Sequence, residues 1–149
     1  MCIRQATKQD VSRIAEIYVF NNRINFYPIF QCDEYSFGEL QVLTVANEYL
    51  LDENLLQNTF VYDDGVVRGF ICIAEDQVKR LFVDPCFQNR GIGAELFEFA
   101  IRKYDVMHLW ALEKNVKAIR FYERYGFRKT EEKTFEEGIT EYLVKMVRQ

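Results

Sequence analysis

The sequence predicts an α/β domain built on a mixed sheet. Three observations carry that reading. Apolar stripes at helical spacing alternate with short β-rich runs, the middle of the chain reads as an antiparallel meander, and a glycine-bearing loop opens without a break into a well-patterned helix. Neither a repeat nor a low-complexity tract interrupts the alternation.

The elements follow in order. "CIRQA" is a short strand, and Thr7 with Asp10 makes a capping-box-like start. Val11, Ile14, Ala15, Tyr18 and Val19 then recur at helical spacing. Residues 21–39 have no clear period, carry Pro28 and are rich in aromatics, which predicts a long structured loop, a common place for function. A helix is expected from Leu40 to Leu51. "TFVY", a "DDG" turn, "VVRGFICIA", a turn at Glu75 and Asp76, and "QVKRLFVD" make the meander. A helix from Gly91 to Tyr104 comes next, then the strand "MHLWAL", a helix from Val116 to Tyr125 ended by Gly126, and a last hairpin through "EEG" at 136–138.

Composition narrows the function. The 149 residues fit one domain, 1–149, and 49% hydrophobic content with thirteen Phe and nine Tyr closes a sizeable core. Net charge is −4, and the 19 Lys and Arg form no basic run, which argues against a nucleic-acid partner. Cys2, Cys32, Cys72 and Cys86 are far apart, without a C-x-x-C pair, and His108 is the only histidine. No metal site is expected, His108 reads as an ordinary strand residue, and reduced thiols in a cytoplasm are the simplest account. The charged start "MCIRQATKQD" and the lack of a long apolar run predict neither export nor membrane insertion.

The stretch "DPCFQNRGIGAELFEFAIRKY", Asp84 to Tyr104, concentrates the chemistry. Leu96, Phe97, Ala100, Ile101 and Tyr104 form one apolar stripe, while Glu95, Glu98, Arg102 and Lys103 face away. The helix start has free backbone N–H groups and the positive end of the helix dipole, and Gly91 and Gly93 let another molecule approach the main chain. Together these make an anion site; the other reading is that two glycines merely shape a loop. A Walker A loop is absent. The dinucleotide fingerprint G-x-G-x-x-G would use Gly91 and Gly93 but meets Leu96 where its third glycine belongs, and Glu113 stands where its acidic residue would fall.

A third pattern fits. "LFVDPCFQNRGIGAELFEFA" resembles the acetyl-CoA loop of the GNAT superfamily of N-acetyltransferases, Q/R-x-x-G-x-G/A after a strand ending in apolar-Val-x-Pro, with Gln88, Gly91 and Gly93 in the fixed positions. "NVKAIRFYERYGF" resembles the same family's N-x-x-A-x-x-F-Y-x-x-x-G-F segment at Asn115, Ala118, Phe121, Tyr122, Gly126 and Phe127. The close resemblance covers residues 66–128, whereas 21–58 match no motif.

The resemblance implies a single-domain GNAT-like fold: a mixed, mostly antiparallel sheet with a splayed parallel strand pair, flanked by about four helices. It implies acetyl-CoA as co-substrate, with the pantetheine arm along Phe82 and Val83 and the pyrophosphate on the main chain of Gln88, Asn89, Arg90, Gly91, Ile92, Gly93 and Ala94. Asn115 and Ala118 complete the cofactor site, and Tyr122 protonates the departing thiolate. The implied reaction is acetyl transfer to a primary amine of a small molecule or protein, at a lysine or an N-terminus, by a monomer or homodimer. The alternative is a CoA-binding sensor or interaction domain without turnover.

Read without the resemblance, Asn115 is a helix N-cap and Tyr122 a core aromatic on a stripe with Ala118, Ile119 and Tyr125. Arg90, Lys117 and Arg120 either face the cofactor's phosphates or are simply solvated. Some relatives keep a Glu five residues before the motif Asn; here that position is Trp110, and the general base stays unassigned among water, Asp33, Glu34 and Glu39. The resemblance implies that the segment from Arg23 to Leu40 covers the acceptor side, where Tyr27, Phe30, Tyr35 and Phe37 are candidates for an apolar slot; packing alone is the other reading.

Overall fold

A computed structural model describes residues 2–135 and 141–149. Seven strands, β1 (Ile3–Gln5), β2 (Thr59–Asp63), β3 (Val67–Ala74), β4 (Gln77–Val83), β5 (His108–Leu112), β6 (Phe127–Phe135) and β7 (Tyr142–Arg148), form one sheet in the order β1-β2-β3-β4-β5-β7-β6. Every neighbouring pair is antiparallel except β4 with β5, so the α/β class and the meander stand as expected. The tip of the last hairpin, 136–138, lies outside the described residues.

The helices cover both faces, because the strands alternate their apolar side chains. Ile71 and Ile73 of β3 pack under α5 (Ile92–Tyr104) and α6 (Val116–Glu123). Phe70 of the same strand packs under α1 (Val11–Asn21) and α3 (Val42–Leu51). Phe97 of α5 is fully buried and meets the rings of Phe121, Tyr122, Tyr125 and Phe127 at 5.1–5.5 Å, which fixes α6 against α5.

Two departures from expectation shape the site. The first lies in residues 21–39, which are mostly helical rather than a loop. The α1 helix runs into a wide turn over Asn22–Phe26, with i→i+5 bonding, then into α2 (Tyr27–Phe30), and a second wide turn follows at Glu34–Glu39. Pro28 has no N–H and would crowd the carbonyl four residues back, and the helix widens just before it. Asn21 and Asn22 turn their amides back onto the carbonyls of Ile17 and Tyr18 at 2.9 and 2.8 Å. With α4 (Glu53–Gln57), capped by Asp52, the described residues hold six α-helices.

The second departure is a β-bulge. Cys72 pairs with Arg80 and Ile73 with Val78, which leaves Lys79 as an extra residue in β4. The parallel pairing of β4 with β5 covers only Gln77 with His108 and Val78 with Leu109. A bulge bends its strand and sharpens the local twist, so β4 swings away from β5 just where the pairing stops.

Candidate active site

Beyond Val78 the two strands diverge. Arg80 to Val83 pair only with β3, and Trp110 to Leu112 only with β7, so two strand edges with free backbone polar groups face each other across a gap. The gap opens into a cavity of about 1010 Å³. Unpaired edges inside a protein call for a partner, and an extended chain with its own amides supplies one.

The loop after β4 makes one wall. Asp84 starts a tight turn: its side chain accepts from the Cys86 N–H at 2.8 Å, and its carboxylate meets Arg13 at 3.0 Å. Burial opposes ionisation of Asp84, but these contacts outweigh it and hold the carboxyl below its ordinary value. Asn89 (φ 65°) and Gly91 (φ 80°) are both left-handed, which turns the chain sharply into α5. A Cβ on Gly91 would meet nothing within 4 Å, so the space beside it is open. No side chain caps α5, and its first-turn amides are free for an anion.

Asn115 begins α6, its side chain accepting from the Ala118 N–H at 3.3 Å, so the capping role is real. One helical stretch on, Tyr122 packs against Phe97 and Phe121. Its hydroxyl makes no hydrogen bond to a described residue, and it is not sealed from the cavity. Desolvation pushes its phenol up to about 12, so it holds its proton across the neutral range.

Of the residues singled out from sequence, Phe82, Val83, Gln88, Asn89, Gly91, Ile92, Gly93, Ala94, Asn115, Ala118 and Tyr122 all line this cavity. Arg90 does not: it is exposed, with its guanidinium 5.4 Å from the centroid of the Phe87 ring. Lys117 and Arg120 do line it, joined by Arg124, Lys79 and Arg80.

The family model described as an acetyltransferase (GNAT) domain matches residues 34–148. The chain belongs to the GNAT acetyltransferase family. Among its relatives, the peptidyl-lysine N-acetyltransferase YiaC of Escherichia coli (strain K12) is 27% identical over 126 residues, spanning 84% of this chain and 82% of that one. The solution structure of apo YjaB from Escherichia coli superposes with a TM-score of 0.77 at 19% identity, covering 97% of this chain and 95% of the other. The structure of yncA from Salmonella typhimurium with its cofactor acetyl-CoA gives 0.69 at 21% identity, over 99% and 92%.

This GNAT acetyltransferase differs from the sequence reading on its other wall. Phe30 and Tyr35 line the cavity, but Tyr27 and Phe37 are not among its lining residues and meet each other edge to face, with centroids 5.1 Å apart. Trp110 lines it too. Glu113 is bound to Lys133 at 2.5 Å, which keeps its carboxyl below the ordinary value, and Asp33 accepts from the Tyr27 hydroxyl at 2.5 Å. No Asp, Glu or His is among the described lining residues.

One residue that sequence reasoning missed ties the walls together. Asn21 is 3% exposed; its Nδ2 donates to the carbonyls of Ile17 and Val83, and its Oδ1 accepts from Asn25 and Gln88 at 3.2 Å. Gln88 also reaches the Val83 carbonyl at 3.2 Å. The signal in the sequence was the amide pair Asn21 and Asn25, four residues apart on one helical face. No group of three or more metal-ligating side chains occurs among the described residues, and none of their helices is long and apolar enough to cross a membrane.

Proposed function

We propose that this chain transfers the acetyl group of acetyl-CoA to a primary amine, a small molecule's or a protein's, at a lysine or an N-terminus. The observation that carries this reading is Tyr122: a protonated phenol, free of any described hydrogen-bond partner, on the wall of a gap between two unpaired strand edges. The fit of the co-substrate rests on the chain itself. Phe82 and Val83 offer strand backbone to the pantetheine arm, and the main chain of Gln88 to Ala94 with the start of α5 offers N–H groups to the pyrophosphate. Asn115 and Ala118 flank the arm, and Lys117 and Arg120 supply charge for the phosphates.

Acetyl-CoA supplies an activated acyl group and a thiolate leaving group. The amine attacks as the neutral base, the C–S bond breaks, and Tyr122 gives its proton to the sulfur. With no carboxylate or imidazole on the described lining, the amine's proton leaves to water. The surrounding cations help by favouring the neutral amine. That same lack of a base favours a second reading, a CoA-binding sensor without turnover.

Tyr122→Phe separates them, because it removes only the hydroxyl and keeps the ring on Phe97. General acid help is worth about 10²–10⁴-fold. Thiol release with an accepted amine should fall at least about tenfold while CoA still stabilises the variant. Unchanged turnover would assign the proton to water, and tight CoA binding without acetylation of any amine by the wild type would favour the sensor.

A further inference from the structure

The aromatic wall of the cavity ends in a cation. The Arg80 guanidinium lies 4.3 Å from the centroid of the Tyr18 ring, and Tyr18 stacks on Phe82 at 5.2 Å, with Phe26 edge-on to Phe82 at 6.3 Å. All four line the cavity. Arg80 is held in place by the Tyr49 hydroxyl and the Glu48 carboxylate, each at 3.1 Å, and its side chain is 20% exposed. Glu48 is half exposed and does not line the cavity. The bulge at Lys79 puts a second cation beside Arg80. Lys117 and Arg120 belong to α6, on the other face of the sheet, where the cofactor's phosphates account for them, and Arg124, just past the end of that helix, lies over the Phe121 ring at 5.5 Å.

We infer that the acceptor is an amine on an apolar, ring-sized body that also bears a carboxylate, and that Arg80 holds this carboxylate. The inference rests on the acetyl-transfer reading and narrows its acceptor. A guanidinium has five N–H donors in a planar fork matched to a carboxylate, more than Tyr49 and Glu48 use. The rings of Tyr18, Phe82 and Phe26 suit an apolar body. A lysine on a basic peptide would instead bring positive charge toward Arg80 and Lys79, with no carboxylate on the described lining to receive it.

The test compares para-(aminomethyl)benzoate, its neutral amide and a basic lysine peptide as acceptors, with acetyl-CoA binding followed in parallel. In the first two the amine is distant from the varied group, so the ratio of their kcat/KM values reports the carboxylate. Wild type should favour the benzoate at least about tenfold, the value of one charge-assisted contact. Arg80→Gln should bring the ratio to about one with the KM for acetyl-CoA unchanged, and Arg80→Lys, which keeps the charge without the fork, should fall between. Because the ratio is internal to each variant, partial unfolding does not move it. A wild-type ratio near one, or an equal preference in Arg80→Gln, overturns the inference. A lysine peptide better than the benzoate overturns it and leaves acetyl transfer standing; intact acetyl-CoA binding without acetylation of any amine removes both.

Discussion

The loop wall, residues 83–94, and the aromatic wall, from Tyr18 to Tyr35, face the same cavity but are built from different materials. The first presents backbone: a strand edge, two left-handed residues and the uncapped start of α5. The second presents side chains, rings and amides on a helix that widens at Asn22–Phe26 and, past the left-handed Gln31, on a second wide turn at Glu34–Glu39. A backbone cradle needs particular residue types at fixed places, since glycine suits the positive φ at Gly91 and leaves the space beside it open to a ligand. A side-chain wall has many solutions of equal packing quality. The cradle therefore suits a constant ligand, while the aromatic wall is free to change with the acceptor.

Asn21 joins the two walls. Asn21→Ala removes the bonds to the Val83 carbonyl and from the amides of Gln88 and Asn25, while Gln88 and Val83 keep each other; at about 0.5–1.5 kcal/mol per bond the cost should be about 1–3 kcal/mol of stability. Both the stabilisation by CoA and the KM for the amine should worsen together. Loss on one side alone, measured by melting curves and initial rates, would mean that the walls act independently.

A smaller effect sharpens the contrast within the aromatic wall. Tyr35 lines the cavity and Tyr27 does not. Tyr35→Ala should therefore raise the KM for the amine several-fold, about 1 kcal/mol or more of lost contact, with little change for acetyl-CoA. Tyr27→Ala should leave both constants near their original values. Equal effects from the two variants would make the segment a packing element rather than an acceptor wall.

The same division decided what the sequence made visible. Gln88, Gly91, Gly93, Asn115 and Tyr122 stand at motif positions, and the meander and its turns follow from alternation and turn residues. Residues 21–39 are opaque in the sequence because wide turns leave no 3.6-residue period and Pro28 reads as a breaker, so nothing there separates Tyr27 and Phe37 from Phe30 and Tyr35. Arg90 was carried along by its place in the loop, yet its side chain turns to Phe87. Arg80 and the bulge left one faint mark, two adjacent cations in a strand that should alternate. Asn21 looked like an ordinary polar residue at a helix end.

Melting curves with and without ligand test whether the gap between β4 and β5, with its glycine-bearing loop, is a CoA site. CoA or acetyl-CoA at about 100 times its Kd should add roughly 2.7 kcal/mol of stability. For a chain of this size that is a rise of about 5–11 °C in Tm. NAD should give no rise. Gly91→Val, which places a β-branched side chain at φ 80° in the open space beside the loop, should abolish the shift while the variant still folds. A rise with NAD but none with CoA, or a folded Gly91→Val variant that CoA stabilises as well as the wild type, would mean that the gap and its loop are not a CoA site.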